Sequence, residues 1–240
     1  MNNRIWQAAI VVLLHCTMAS AHSFEVDGIY YSITSSADST VAVTYRGNNY
    51  GSYSNEYSGV ITIPKTVTYD GKTYKVTSIA QYTFYKCDIT SVTLHEGIIE
   101  IGDGAFCKCS SLTYNMIPEG VTSIGDSFFS GCSSLTFIDI PKGVTEIGGN
   151  AFSECRSLTS ITIPHKVKAI GGNAFYRCTS IKEVIIEDGC DTLQLGENTT
   201  VGLFFDCPLE TIYLGRNINY RYGKSYGYSP FFRNNNISVH

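Results

Sequence analysis

The sequence predicts a β-rich repeat solenoid, a curved stack of 23-residue turns with a parallel sheet on its concave side and an N-terminal β-hairpin cap. Three observations carry that expectation. Leu112–Ser134, Leu135–Ser157 and Leu158–Ser180 read LTYNMIPEGVTSIGDSFFSGCSS, LTFIDIPKGVTEIGGNAFSECRS and LTSITIPHKVKAIGGNAFYRCTS, three copies of one unit. Single residue types recur at the same step, as in Phe106, Phe129, Phe152, Phe175 and Cys109, Cys132, Cys155, Cys178. Each unit opens with Leu-x-x-Ile-x-Ile and then proline, a short strand ended by a residue that cannot donate to a ladder. Strict self-similarity at such a period marks units that bury their apolar faces only against their neighbours. The 240 residues therefore read as one elongated body.

Residues 1–21 read as a secretory targeting segment. Arg4 supplies the positive charge, Ile10 to Leu14 the apolar centre and Ala19-Ser20-Ala21 the cleavage site, so the mature chain is expected to begin at His22. The apolar run is far below the ~18 residues of a membrane span. His15, where a small residue belongs, argues against lipidation of Cys16.

Residues 22–57 form the expected cap. Ile29, Tyr31 and Ile33, then Val41, Val43 and Tyr45, alternate with polar neighbours, and Ser35 to Thr40 supply the turn between two strands. Ten of the seventeen tyrosines precede Asp88, and cap packing with phenol oxygens near water accounts for them. The solenoid proper is expected over residues 58–240, its last repeat incomplete. Asp70-Gly71, inside a segment inserted between Val67 and Val76, predicts a two-residue turn and a small projecting hairpin.

In a regular unit the first, fourth and sixth strand positions point inward, Val121 and Ile124 bury from the opposite wall, and Gly125, Gly148 and Gly171 make the bend that returns Ala-Phe to the core. Asn115 occupies an inward position that is apolar in every sibling unit. Further inserts lie at Cys190 to Val201 and at Asn217 to Tyr228. Ile237 begins another strand, so an open edge with end-to-end self-association or fraying is expected there.

Nine cysteines in an exported chain would ordinarily suggest disulfides. Here Cys87, Cys109, Cys132, Cys155, Cys178 and Cys207 share one repeat position, which stacks them as a ladder of small buried hydrophobes. A ladder offers no four-ligand tetrahedron for a metal.

The pattern Leu-x-x-Ile-x-Ile-Pro-x-x-Val-x-x-Ile-Gly-x-x-Ala-Phe-x-x-Cys resembles the BspA-type (Treponema pallidum-type) leucine-rich repeat family, and the opening Phe24 to Tyr31 and the stretch Gly227 to Phe231 resemble exported Bacteroidetes members. The resemblance implies a curved leucine-rich repeat stack, a secreted or cell-surface location, and protein-binding or adhesive roles. It implies no catalytic residues and no cofactor.

The residues themselves offer little chemistry. Gly125-Asp126-Ser127 looks like a hydrolase block but sits where sibling units carry Gly-Asp-Gly and Gly-Gly-Asn. His95 and His165 lie three units apart, without metal-ligand spacing. A net charge of −4 with no basic run argues against nucleic acid. Asn198 and Asn236 head sequons, and Asp38-Ser39-Thr40 and Asp191-Thr192-Leu193 resemble an O-glycosylation signal; all four matter only in a host able to use them.

What remains is a surface. The third and fifth strand positions face outward; beside small hydroxyl residues such as Ser91, Thr93, Ser160 and Thr162 they hold Tyr114, Met116, Phe137, Asp139, Glu183, Ile185 and Tyr213. These seven are the candidate protein-binding residues. The expected partner is a protein: host extracellular matrix, mucin or another cell surface. The alternative is a structural envelope component with no specific ligand.

Overall fold

Parallel strands cannot be joined by tight turns, so a chain that stacks them must wind through a coil between one and the next. The computed structural model describes residues 22–51, 55–189, 191–196, 202–220 and 238–240, and it has this coiled form. The expected targeting segment at 1–21, half of the first late insert, most of the second and both sequon asparagines lie outside the described residues.

Strands β1 (Phe24–Val26), β2 (Ile29–Ser35) and β3 (Thr40–Thr44) form an antiparallel meander. β4 (Ser58–Thr62) is the first rung of the strand face, and β5 (Thr66–Tyr69) and β6 (Lys72–Ile79) are a hairpin. The chain then alternates between two walls: β7 (Asp88–Thr93) and β8 (Glu100–Ile101), then β9 (Tyr114–Asn115) and β10 (Ser123–Ile124). After β11 (Glu146–Ile147) come β12 (Ser160–Ile163), β13 (Ala169–Ile170), β14 (Glu183–Ile186) and β15 (Leu193–Leu195), and finally β16 (Thr211–Leu214), β17 (Ile218–Tyr220) and β18 (Ser238–Val239). No helix occurs among the described residues.

One wall is the strand face, with parallel order β4-β7-β9 and, after a gap at Leu135–Ile140 where no strand forms, β12-β14-β16-β18. The other wall continues the cap: β3 pairs parallel with β6 and β6 with β8, and β10-β11-β13-β15-β17 follow. Pairing across a regular step joins residues 23 apart, such as Ile161 with Val184 and Ile124 with Ile147. The cap is thus the first rung of the second wall and closes the stack by direct pairing.

The corner between the walls holds the core together. Phe84, Phe106, Phe129, Phe152, Phe175 and Phe204 are fully buried and stack face to face, with successive ring centroids 5.3, 5.2, 5.8, 5.4 and 5.0 Å apart. Beside them runs the cysteine ladder, reduced and buried. From Cys109 onward each thiol of the ladder donates to the carbonyl of the phenylalanine one rung earlier, Cys132 to Phe106 at 3.0 Å, Cys155 to Phe129 at 3.2 Å and Cys178 to Phe152 at 3.0 Å. Burial pushes the Cys109, Cys132, Cys155 and Cys178 thiols well above their ordinary range, so they stay protonated donors.

The backbone at this corner forms a third hydrogen-bonded array. Phe129 N–H donates to Ala151 O at 2.7 Å, and Phe152 N–H to Ala174 O at 2.8 Å. Left-handed residues four apart, Asn150 with Glu154 and Asn173 with Arg177, turn every second N–H toward the next rung. The glycines at the bend have another role from the one the sequence suggested. Gly148 and Gly171 are not left-handed; a Cβ on either would sit 2.6 or 2.4 Å from a backbone nitrogen of the preceding rung. They are glycine because rungs approach closely there.

Two further departures concern the cap. Asp27 and Gly28, both left-handed, make a second Asp-Gly hairpin turn that adds β1. Asp70-Gly71 does make its turn, but the β5–β6 hairpin lies against the cap instead of projecting: Tyr69 stacks on Phe24 with ring centroids 4.4 Å apart, and Lys72 Nζ donates to Ser36 O at 3.0 Å. Phe24 needs this cover, since it would otherwise expose an aromatic face at the end of the stack. Tyr31, Tyr57 and Tyr74 are buried in the same region; the Tyr57 hydroxyl donates to Thr44 O at 2.6 Å, and burial pushes the Tyr31 phenol up to about 12. Ile33, expected inward, is 39% exposed.

Candidate binding surface

Along a strand successive side chains point to opposite faces, so inward and outward sets separate cleanly. Ile161 and Ile163 are buried, and Thr162 between them is exposed. The large residues at the outward positions stand in water: Tyr114 is 47% exposed, Met116 54%, Phe137 52% and Tyr213 42%.

The seven sequence-predicted residues fall into two groups. Tyr114, Met116, Phe137 and Asp139 lie on adjoining rungs, at the gap in the strand face. Glu183, Ile185 and Tyr213 lie further along, Glu183 opposite Thr211 and Ile185 opposite Tyr213 in the β14–β16 register. The Ser160–Thr162 rung separates the groups, so they are two patches on one face.

Each patch adjoins a groove that the strand pattern did not reveal. Near Met116, a groove of about 640 Å³ has an apolar floor of Val76 and Leu94, with Lys65 and Lys75 at its rim. Burial lowers the pKa of His95 in its wall, which keeps that ring neutral at pH 7. The groove beside Tyr213 is larger, about 840 Å³; its floor is Ile185, Ile186 and Leu214, and Glu183, Glu187 and Asp188 stand around it. Tyr213 stacks on His240 at 5.3 Å, and the His165 N–H donates to Glu187 Oε2 at 3.0 Å. The signal for both grooves lay in the residues just after the strands, at the turn edge, which alternation along a strand does not reach. A third aromatic cluster was also hidden: Tyr50 stacks on Tyr82 at 4.1 Å and meets Tyr85 edge-on at 5.1 Å.

The repeated coil, its paired walls and its Phe–Cys corner match a known family model, described as the BspA type leucine rich repeat region. Six copies of that repeat cover residues 77–198, half of the chain. The chain belongs to the BspA type leucine-rich repeat family. No curated protein matches the sequence. Among solved structures, a leucine-rich repeat protein from Bacteroides ovatus is similar at 22% identity, with 91% of this chain and 76% of that one covered and a TM-score of 0.50. A leucine-rich repeat protein of T. pallidum is similar at 23% identity over 77% of this chain and 88% of its own, with a TM-score of 0.59. These likenesses concern the fold.

Within this BspA-type stack the hydrolase-like block has a structural task. Asp126 Oδ1 accepts the Gly149 N–H at 2.6 Å, Asp103 Oδ1 accepts the Asp126 N–H at 2.9 Å, and Ser127 is a left-handed corner residue. Among the described residues no group of three or more His, Cys, Asp or Glu is placed to hold a metal ion. No helix there is long and apolar enough to cross a membrane.

Proposed function

We propose that the protein is an exported, non-enzymatic leucine-rich repeat protein that binds another protein, on a host matrix, in mucin or at a cell surface, through its strand face. The observation that carries this reading is the exposed set Tyr114, Met116 and Phe137 on adjoining rungs, where neighbouring rungs carry Ser and Thr. Exposed aromatic residues at the centre of a face are the usual anchors of protein interfaces, costing about 2 kcal/mol or more when truncated. Asp139 beside them supplies a polar rim.

The test is capture of the purified protein on immobilised mucin and extracellular-matrix proteins, comparing the parent with a Tyr114→Ser, Phe137→Ser double variant. The expected result is capture by at least one of these surfaces, weakened at least tenfold in the variant, about 1.4 kcal/mol. Equal capture of parent and variant would remove the strand face from the reading.

A further inference from the structure

The two grooves of the strand face differ in charge. The one near Met116 mixes Lys65 and Lys75 with Glu96, whereas the one beside Tyr213 holds Glu183, Glu187 and Asp188 and no lysine or arginine. The basic side chains next to it in the chain are engaged elsewhere. Lys182 pairs with Glu210 at 2.7 Å, and the Arg216 guanidinium donates to the carbonyls of His165 and Pro164 at 2.7 and 2.9 Å. Glu187 is held in place by the His165 N–H and lies 3.4 Å from His165 Nδ1. Glu183 and Asp188 form no ion pair or side-chain hydrogen bond with another described residue.

The stacking of the rungs keeps this groove open. Glu183, Ile185 and Glu187 alternate to the outward side of one rung, which sets the two glutamates about 13 Å apart along the backbone. On the next rung Tyr213 stands opposite Ile185. Two residues further on, Gly215 has no side chain to fill the space beside Glu187, and a Cβ there would lie 2.4 Å from the Asp188 nitrogen. The close approach that excludes a side chain of this protein leaves room for one from a ligand.

We propose that the Tyr213 groove binds a basic segment of the partner protein, an extended stretch with arginine or lysine at alternate positions. The proposal rests on the strand face being an interface and gives the partner's chemistry at this place. Arginine and lysine have apolar stems and charged heads, so the stem covers Ile185, Ile186 and Leu214 while the head reaches the rim. There the carboxylates accept charge-assisted hydrogen bonds, and the Tyr213 ring offers its face to a cation. Alternate residues of an extended chain recur about every 6.7 Å on one side, so two such intervals span the distance from Glu183 to Glu187. An acidic or purely apolar segment leaves three carboxylates stripped of water and without partners, which selects against it. A metal ion is a poorer fit, because these carboxylates are not gathered to hold one.

The experiment follows the fluorescence anisotropy of a labelled peptide of four Arg-Thr repeats, titrated with the full protein up to about 1 mM. The control peptide has glutamate in place of arginine. Saturable binding of the arginine peptide is expected, at least tenfold tighter than the control and weakened severalfold by about 0.5 M salt. Glu183→Gln with Asp188→Asn removes two charges that make no described contact, so the urea midpoint should stay and peptide binding should fall at least tenfold. The chain as a whole carries a net charge of −4, so Glu119→Gln with Glu146→Gln removes the same charge outside the groove and is expected to bind like the parent. Absence of binding to about 1 mM, or an equal loss in both double variants, overturns the proposal. If the peptide does not bind while Tyr114→Ser with Phe137→Ser still loses capture on mucin or matrix, the groove proposal falls and the strand-face reading stands. If the peptide binds through Glu183 and Asp188 but no surface captures the parent, the groove proposal stands and the mucin or matrix partner falls.

Discussion

The corner and the strand face of this molecule are built by opposite uses of repetition. At the corner every rung places the same residue on top of itself: phenylalanine on phenylalanine, cysteine thiol on phenylalanine carbonyl. On the outward strand positions the residue changes from Ser91 to Tyr114 to Phe137 to Ser160. A column that contacts only its own copies can use one solution throughout, because each rung presents the next with the same shape. A surface that meets another molecule gains nothing from sameness. Stability is therefore concentrated in the uniform column, and under the proposed function specificity would lie in the changing rows.

The sharpest way to break that division is alkali. Cys87, Cys107, Cys109, Cys132, Cys155 and Cys178 all have thiols raised by burial, whereas an unfolded thiol ionises near pH ~8.5. Because the fold holds the protonated form, its stability is fully present below that pH and falls above it, by up to about 1.4 kcal/mol per pH unit for each thiol. Denaturant midpoints should be flat from about pH 6 to 8 and drop steeply from about pH 9; a flat profile to about pH 10.5 would show that the ladder carries no such load. In the same samples, thiol reagents should find the ladder only after unfolding.

A single break in the column comes next. Phe152→Ala, between Phe129 and Phe175, should lower unfolding free energy by about 3–5 kcal/mol, read from urea melts. A loss under about 1 kcal/mol would mean that the rungs collapse to refill the gap. Gly148→Ala tests the close approach of rungs: its Cβ would press on the Asp126 backbone nitrogen, and a loss of about 1–3 kcal/mol is expected. Stabilisation by this substitution would restore the view that Gly148 serves only a bend. At the small end, Tyr114→Ser with Phe137→Ser should move stability by no more than about 0.5 kcal/mol, since both side chains are half in water. A large loss would make those rings part of the fold.

The column is legible in the sequence for the reason that makes it stable. Phe106 to Phe175 and Cys109 to Cys178 repeat at a strict step, and stacking turns can place them only one above another. The Asp70-Gly71 turn is legible because two successive left-handed residues have few sequence solutions. Its docking is not, because the contact of Tyr69 with Phe24 joins segments 45 residues apart in a region without repeats. The second hairpin turn, at Asp27-Gly28, carries the same signal beside a strand of only three residues, too short for alternation to mark. The role of Gly148 is hidden because a bend and a close approach select the same residue. The outward residues can be named from alternation, but their division into two patches, each beside a groove, depends on the turn edge and on which rungs pair.

The hydrogen bonds that join one rung to the next share a direction. Strand, wall and corner bonds and the thiol contacts all cross from rung to rung along the stack. A tether pulling the two ends apart along that line would load those bonds rung by rung in an unzipping geometry, not all at once in shear. Each freed turn of 23 residues would release about 80 Å of chain. Mechanically, the molecule is a row of fuses in series: under tension it lengthens by discrete steps and absorbs work turn by turn, while the rungs still stacked keep their faces intact.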